Sequence, residues 1–214
     1  MRTLALLLAF ALTACQFGTR EIRLDALVEF TPPSPANGHS VVVRVADRRS
    51  DWLGSTVGHV KDGYDRPCAP IVADHDPRGW FEECLVARLR HAGFAARAGD
   101  EAMAAAPLQP STAADPAELA LDVELFDCET TAFWSYSAWL RIALTVTRDG
   151  SAVVPRTLLE ARATGEANFG GFSSRYEAVL DDATADLLDQ VVAVCRDVAA
   201  VPRVTSRAVA KLSQ

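Results

Sequence analysis

The sequence is poor in the residues that mark proteins binding nucleic acids or anionic lipids. Lys61 and Lys211 are its only lysines, and acidic side chains outnumber basic ones, giving a formal net charge of −7. An acidic chain offers no electrostatic footprint for a phosphate backbone. We therefore expect no nucleic-acid partner.

Motifs for catalysis and cofactor binding are also missing. The sequence has no P-loop, no G-x-G-x-x-G and no HExxH. The segment 54–58 contains Ser55, but not in the G-x-S-x-G order of a nucleophile elbow. Asp74-His75-Asp76 could contact a metal ion, although carboxylates at a helix start are the simpler interpretation. We expect no catalytic residue, no metal ion, no cofactor and no enzymatic activity.

The one apolar run that stands apart is at the N-terminus. Met1-Arg2 precedes apolar residues 4–11, which is typical of a secretory signal and too short for a transmembrane helix, which needs about 20 residues. Leu12-Thr13-Ala14-Cys15 resembles the bacterial lipobox. This pattern predicts cleavage before Cys15 and lipidation of its thiol. The alternative is an ordinary secretory signal in which Cys15 is incidental.

The predicted division of the chain follows from this signal. Residues 1–14 form the signal peptide, 15–39 a lipid-anchored tether with an N-terminal strand, 40–201 a single α+β periplasmic domain, and 202–214 a flexible tail. Gln16 stands where an aspartate would retain a lipoprotein in the inner membrane. We therefore expect a chain held by acyl chains in the outer membrane and facing the periplasm.

Four further cysteines fit an oxidising compartment. They allow three pairings, and their spacing matches no CxxC metal pattern. If the two predicted helices run antiparallel, Cys84 could approach Cys195 closely enough for a disulfide. Free buried thiols are the alternative.

Hydrophobic periodicity predicts the fold. Alternation over 119–125, 136–146 and 159–167 indicates three strands of a meander, with a hairpin turn at Asp149-Gly150. Alternation over 21–30 predicts an N-terminal strand, Val41–Val45 is typical of a central strand, and 57–60 and 69–73 are expected to pair as short strands. Helices are predicted to begin at Asp76-Pro77 and near Ser174. The predicted fold class is α+β: one mainly antiparallel β-sheet with two α-helices packed on one face.

Aromatic residues near two predicted strand ends are candidates for binding a partner. Trp139 falls on the opposite sheet face from Tyr136, and large aromatic residues dominate many protein interfaces. Arg48 follows a central strand, where ligand sites are common. The simpler alternatives are packing under loops and a local ion pair. The candidate partner-binding residues are Trp134, Trp139, Phe169, Phe172 and Arg48.

The chain resembles the YajG-type bacterial envelope lipoproteins. The resemblance lies in the lipobox at Cys15, the strand and polar exit over 41–49, the passage 91–94 after the first helix, and the passage 167–178 into the last helix. The chain departs from that pattern in longer insertions at 51–76 and 99–116 and in its extra cysteines. The resemblance implies an envelope lipoprotein with no catalytic residues.

Three functional hypotheses follow, each with its own expected surface. A non-enzymatic lipoprotein that binds or scaffolds a protein or cell-wall partner would show a flat, aromatic surface. An auxiliary lipoprotein of a lipid or solute transport system would show a long apolar cleft. A periplasmic hydrolase, the least favoured, would show a cavity with clustered acidic and histidine side chains.

Overall fold

The computed structural model describes residues 18–25, 39–49, 54–62, 64, 66–99, 119–132, 135–165 and 173–201. Within them lie eight strands and two helices. The strands are β1 Arg20–Ile22, β2 Ser40–Asp47, β3 Thr56–Lys61, β4 Pro67–Ala73, β5 Ala95–Ala98, β6 Leu119–Ala132, β7 Tyr136–Arg148 and β8 Ser151–Gly165. The helices are α1 Pro77–His91 and α2 Ser173–Ala200.

All eight strands form one sheet built around β6. The meander β6–β7–β8 is antiparallel and occupies one side. The other edge of β6 is shared: its first half pairs with β2, which pairs with β5, and its last residues pair with β3. Beyond β3 lie β4 and then β1. Strand β6 therefore connects two groups of strands within one sheet: β2 with β5, and β3 with β4 and β1.

The prediction of a mainly antiparallel sheet is wrong, because the sheet is mixed. The pairings β1–β4, β2–β5, β2–β6 and β3–β6 are all parallel, whereas β3–β4, β6–β7 and β7–β8 are antiparallel. The antiparallel pairs join strands that follow each other in sequence and leave a local turn signal. Parallel pairs need a crossover between distant segments, so no short-range pattern reports them.

Both helices pack against the inner face of the sheet, where the core lies. Helix α1 contacts β2 and β5, helix α2 contacts β7 and β8, and the two helices contact each other. Arg88 of α1 donates from its guanidinium to Asp189 of α2 across their shared edge. The largest fully buried side chains come from both helices, from β1, β4, β6 and β7, and from the residue before β5: Ile22, Ile71, Phe81, Leu85, Leu89, Phe94, Leu119, Leu121, Leu125, Leu140, Ile142 and Tyr176.

Two local expectations are confirmed. Asp76 caps α1, accepting hydrogen bonds from the backbone N–H groups of Arg78 and Gly79, and Pro77 occupies the first turn, where no amide donor is needed. Asp149 and Gly150 both have positive φ, 50° and 77°, as a two-residue turn between antiparallel strands requires. Both segments were correctly predicted because each carries a turn or cap signature of its own.

The outer strands differ from expectation in extent. The N-terminal strand was expected over 21–30, but β1 ends at Ile22, and 26–30 lie outside the described residues. Strands β3 and β4 pair antiparallel, as the sequence suggested for 57–60 and 69–73. Neither helix in the described ranges is long and apolar enough to cross a bilayer.

Candidate functional site

The sheet face turned away from the helices, here called the outer face, brings together two residues predicted to bind a partner, Trp139 and Arg48. On β6–β8 it carries Glu124, Phe126, Asp127, Trp139, Arg141, Arg156 and Arg162. Alternation along β7 places Tyr136 in the core against Tyr176, with ring centroids 4.9 Å apart. Trp139 therefore points to the outer face, as the sequence indicated.

The Trp139 ring lies under two guanidinium groups. Arg162, directly opposite on β8, places its Cζ 4.9 Å from the ring centroid, and Arg141, two residues along β7, places its Cζ 5.1 Å away. Such stacking is worth about 0.5–1 kcal/mol at an exposed site. The two arginines hold the indole plane in one orientation.

Acidic partners keep the arginines of the outer face in place. Arg141 forms an ion pair with Asp127, with Nε and Oδ2 2.7 Å apart. Arg156 donates from Nε to Glu124 at 2.9 Å, and its Cζ stacks 5.2 Å above the Phe126 ring. The face alternates cation, ring and carboxylate across three strands, which suits a polar partner better than an acyl chain.

Arg48 joins this face from the end of β2. Its backbone N–H donates to the carbonyl of Leu125 at 2.8 Å, which fixes the residue beside β6. Its side chain is exposed, with Nε 4.0 Å from Glu124. Glu124 thus lies between Arg48 and Arg156, and the outer face runs continuously from β2 to β8.

Arg49, next to Arg48, stabilises the chain at the end of β2. Its guanidinium is buried, donates to both carboxylate oxygens of Asp47, and donates to the carbonyls of Gly54 and Thr56. Burial alone would raise the pKa of Asp47, but the hydrogen bonds and charge of Arg49 lower it below its ordinary value of 3.8. Arg49 therefore fixes the exit of β2 to the start of β3 and leaves Arg48 facing solvent.

The acid–histidine cluster forms a helix start. His75 Nδ1 lies 2.8 Å from Asp74, whose other contact is the backbone N–H of Leu24. The hydrogen bond from His75 to Asp74 raises the pKa of that imidazole above 6.5. Asp76 is occupied in capping α1. Within the described ranges no three acidic, cysteine or histidine residues converge to hold a metal ion.

The predicted disulfide partners are both in the core. Cys84 and Cys195 are buried, and neither is in a disulfide in this structure. Cys84 interacts electrostatically with a second buried thiol, Cys128, whose pKa is raised to about 12 by burial. The Cys84–Cys195 pairing stays a prediction.

Some predicted site residues lie outside the described ranges. Some residues of the outer face were not predicted from the sequence. Cys15, Trp134, Phe169 and Phe172 lie outside the described residues. The partners of Trp139 and Arg48, namely Glu124, Asp127, Arg141, Arg156 and Arg162, were not singled out from sequence. For Glu124, Arg141 and Arg162, the outward positions in the alternating segments were a usable signal, whereas Asp127 and Arg156 lie outside the predicted strands. The pairing of all five depends on strand register.

No family model matches the chain, and no curated protein matches it in sequence. Membership of the YajG-type family therefore stays a prediction.

Solved structures similar to this chain include the protein XCC0632 from Xanthomonas campestris, of family DUF330. Its TM-score is 0.48, with 10% identity over 81% of this chain and 91% of that one. An uncharacterised protein matches with a TM-score of 0.47 and 10% identity, covering 83% and 99%. Lipoprotein GNA1162 from Neisseria meningitidis has a TM-score of 0.36 and 10% identity, covering 71% and 97%. Likenesses this distant decide neither family nor function.

Proposed function

We propose that this chain is a non-enzymatic lipoprotein of the bacterial envelope, anchored through acyl chains on Cys15, that binds a protein or cell-wall partner with its outer face. The anchor is supported by the N-terminal sequence: a cationic start, a short apolar run and Leu12-Thr13-Ala14-Cys15. Gln16 favours the outer membrane and a domain in the periplasm.

The observation that carries the binding role is the stack of Arg162, Trp139 and Arg141 on a sheet face that neither helix covers. Tryptophan and arginine are the residues most enriched among those that dominate binding energy. Here their geometry is fixed before binding by Asp127, so little conformational entropy is lost when a partner docks. Guanidinium groups beside an indole suit carboxylates, peptide carbonyls or sugar hydroxyls.

The polar character of the outer face also bears on the competing hypotheses. Transport of lipid by this domain would call for a continuous apolar cleft, whereas the outer face alternates charges with aromatic rings. A hydrolase would call for converging acid and base, whereas His75 is exposed and paired with Asp74. The outer face therefore favours the scaffold hypothesis over both.

Photo-cross-linking in cells tests the binding role. A photoreactive benzophenone amino acid, which keeps an aromatic ring at position 139, replaces Arg48 or Trp139 in the full chain. A matched control replaces Arg196, which is exposed on α2 on the other side of the molecule. We expect one adduct of the same mass from positions 48 and 139. We expect none from position 196, because the helix layer separates it from the outer face.

A second substitution makes the cross-linking specific. In the Arg48 cross-linking variant, Trp139→Ala should abolish or strongly reduce the adduct, since removing an interface tryptophan costs about 2 kcal/mol or more of binding free energy. The melting temperature of the double variant checks that the fold is intact. Equal capture from positions 48 and 196, or capture unaffected by Trp139→Ala, would count against the outer face as the binding surface.

A further inference from the structure

The distance between the anchor and the folded domain is short, and it limits where the domain can sit. This argument rests on the proposed lipidation of Cys15. Cys15 and Arg20, the first residue of β1, are five residues apart in the sequence. Even a fully extended chain of that length spans only about 17 Å.

The pairing of β1 shows which end of the sheet faces the anchor. Arg20 lies opposite Ile71 in the parallel pair β1–β4, so the chain preceding Arg20 leads toward Pro67, the start of β4. Four residues of strand separate Ile71 from Pro67, which is about 13 Å. Cys15 can therefore extend only about 4 Å beyond the level of Pro67 along the strand direction.

The turn between β3 and β4 projects from this same end. Lys61 is paired with Pro67, and the chain beyond them carries Tyr64 outward. Tyr64 is 82% exposed, the most exposed of the large apolar side chains in the described ranges. Its tip position places the ring at about the level that the lipidated sulfur can reach.

The turn is ordered by contacts of its own. Asp62 accepts hydrogen bonds from the backbone N–H groups of Tyr64 and Arg66, at 2.8 and 3.0 Å, and forms an ion pair with the Arg66 guanidinium at 2.7 Å. The hydrogen bond from the Arg66 guanidinium, together with those from the two backbone N–H groups, lowers the pKa of Asp62 to about 2. The Arg66 Cζ lies 5.2 Å from the Tyr64 ring centroid. An exposed aromatic ring is thus held at the tip next to a cation.

We propose that the β3–β4 turn, with Tyr64 at its tip, rests in the phospholipid headgroup layer of the bilayer that holds Cys15. The tether reaches no farther than this turn, so the anchored domain brings Tyr64 to the membrane surface. Tyrosine is enriched at that interface because its ring is apolar and its hydroxyl is polar. Lys61 and Arg66 balance the charges of Asp62 and Asp65, so the turn carries no net negative charge although the chain as a whole is acidic.

Spin labelling of the full, lipidated chain in vesicles of phosphatidylethanolamine and phosphatidylglycerol tests the proposal. A nitroxide is attached at Pro67→Cys, beside the turn, or at Val153→Cys, near the opposite end of the sheet; both positions are exposed. Both variants carry Cys68→Ser, since the other described cysteines are buried. The readout is collisional relaxation by lipid-soluble oxygen relative to a water-soluble nickel chelate.

We expect the ratio at position 67 to shift toward oxygen relative to position 153, and Tyr64→Ser to reverse most of that shift. The intact mass of each sample first establishes whether Cys15 is acylated. An unacylated chain would contradict the proposed function itself. With acylation present, equal ratios at the two positions, or a shift that Tyr64→Ser leaves unchanged, would overturn the headgroup contact while the anchor stands.

Discussion

Gly58→Ala is expected to cost about 4 kcal/mol or more of the free energy of unfolding, which is most of the stability of a domain at the lower end of the ordinary range. Gly58 has φ of +149°, and a Cβ built on it would lie 1.7 Å from the carbonyl oxygen of Thr130 on β6. The obstacle is backbone of the central strand, paired with β3 and β7, so it cannot move aside. Urea denaturation followed by circular dichroism measures the loss.

Gly54→Ala separates the two causes of this effect. Gly54 also has a positive φ, +66°, but nothing lies within 4 Å of its added Cβ. Its replacement should cost only about 1 kcal/mol, the strain of a left-handed alanine. If Gly58→Ala unfolds at the same urea concentration as Gly54→Ala, the close approach of β3 to β6 described here is wrong.

Arg49→Met is expected to destabilise the domain by about 3 kcal/mol, the lower end of the range for breaking a buried ion pair. The Arg49 side chain is 1% exposed and that of Asp47 31% exposed, so the carboxylate keeps some hydration when its partner is lost. The carbonyls of Gly54 and Thr56 also lose their donor. The matched control is Arg66→Met: this arginine is 71% exposed in its pair with Asp62, so its loss should leave the unfolding midpoint almost unchanged.

The same variant has an expected pH dependence. Because Arg49 lowers the pKa of Asp47 below 3.8, the pair stabilises the native chain fully above that pH and progressively less as the pH falls through the lowered value. The difference in free energy of unfolding between Arg49→Met and the native chain should therefore become smaller as the pH falls. Unfolding midpoints from neutral pH downward measure this difference, and a difference that stays constant with pH would contradict the assigned ion pair.

The strands were predictable from local patterns, but a bulge in β6 hid part of the outer face. Buried apolar positions on β6 are odd-numbered up to Leu125 and even-numbered from Cys128, because a bulge near Phe126 shifts the pairing with β7 by one residue. Beyond that bulge, the alternation of apolar and polar residues changes phase, so a strand predicted from alternation ends there. The sequence prediction accordingly ended the strand at Leu125, seven residues before its actual end at Ala132.

Register explains why the partners of Trp139 could not be read from the sequence. Counting pairs back from the turn at Arg148–Ser151 would put Trp139 opposite Glu160. The pairing shifts by two residues around Pro155, so Trp139 faces Arg162. With Glu160 opposite the ring, the stack with Arg162 would not form. A two-residue shift preserves the face, so the orientation of Trp139 was predictable while its neighbour was not.

The parallel pairings were out of reach for a related reason. Val41–Val45 was recognisable as a buried strand, but its partners β5 and β6 are separated from it by other elements. Helix α1 packs on β2 and β5, but no turn connects the parallel strands to one another, so no local pattern reports their register. The outer face is complete only because β2 pairs with β6, which brings Arg48 beside Glu124.

The mass of the mature N-terminus, measured on protein extracted from cell membranes, tests the anchor most directly. The account predicts a chain whose first residue is Cys15, carrying a diacylglyceryl group on sulfur, and a Cys15→Ser variant that lacks this mass and leaves the membrane fraction or stays unprocessed. A mature chain that starts at another residue, or one whose Cys15 thiol is unmodified, would contradict it.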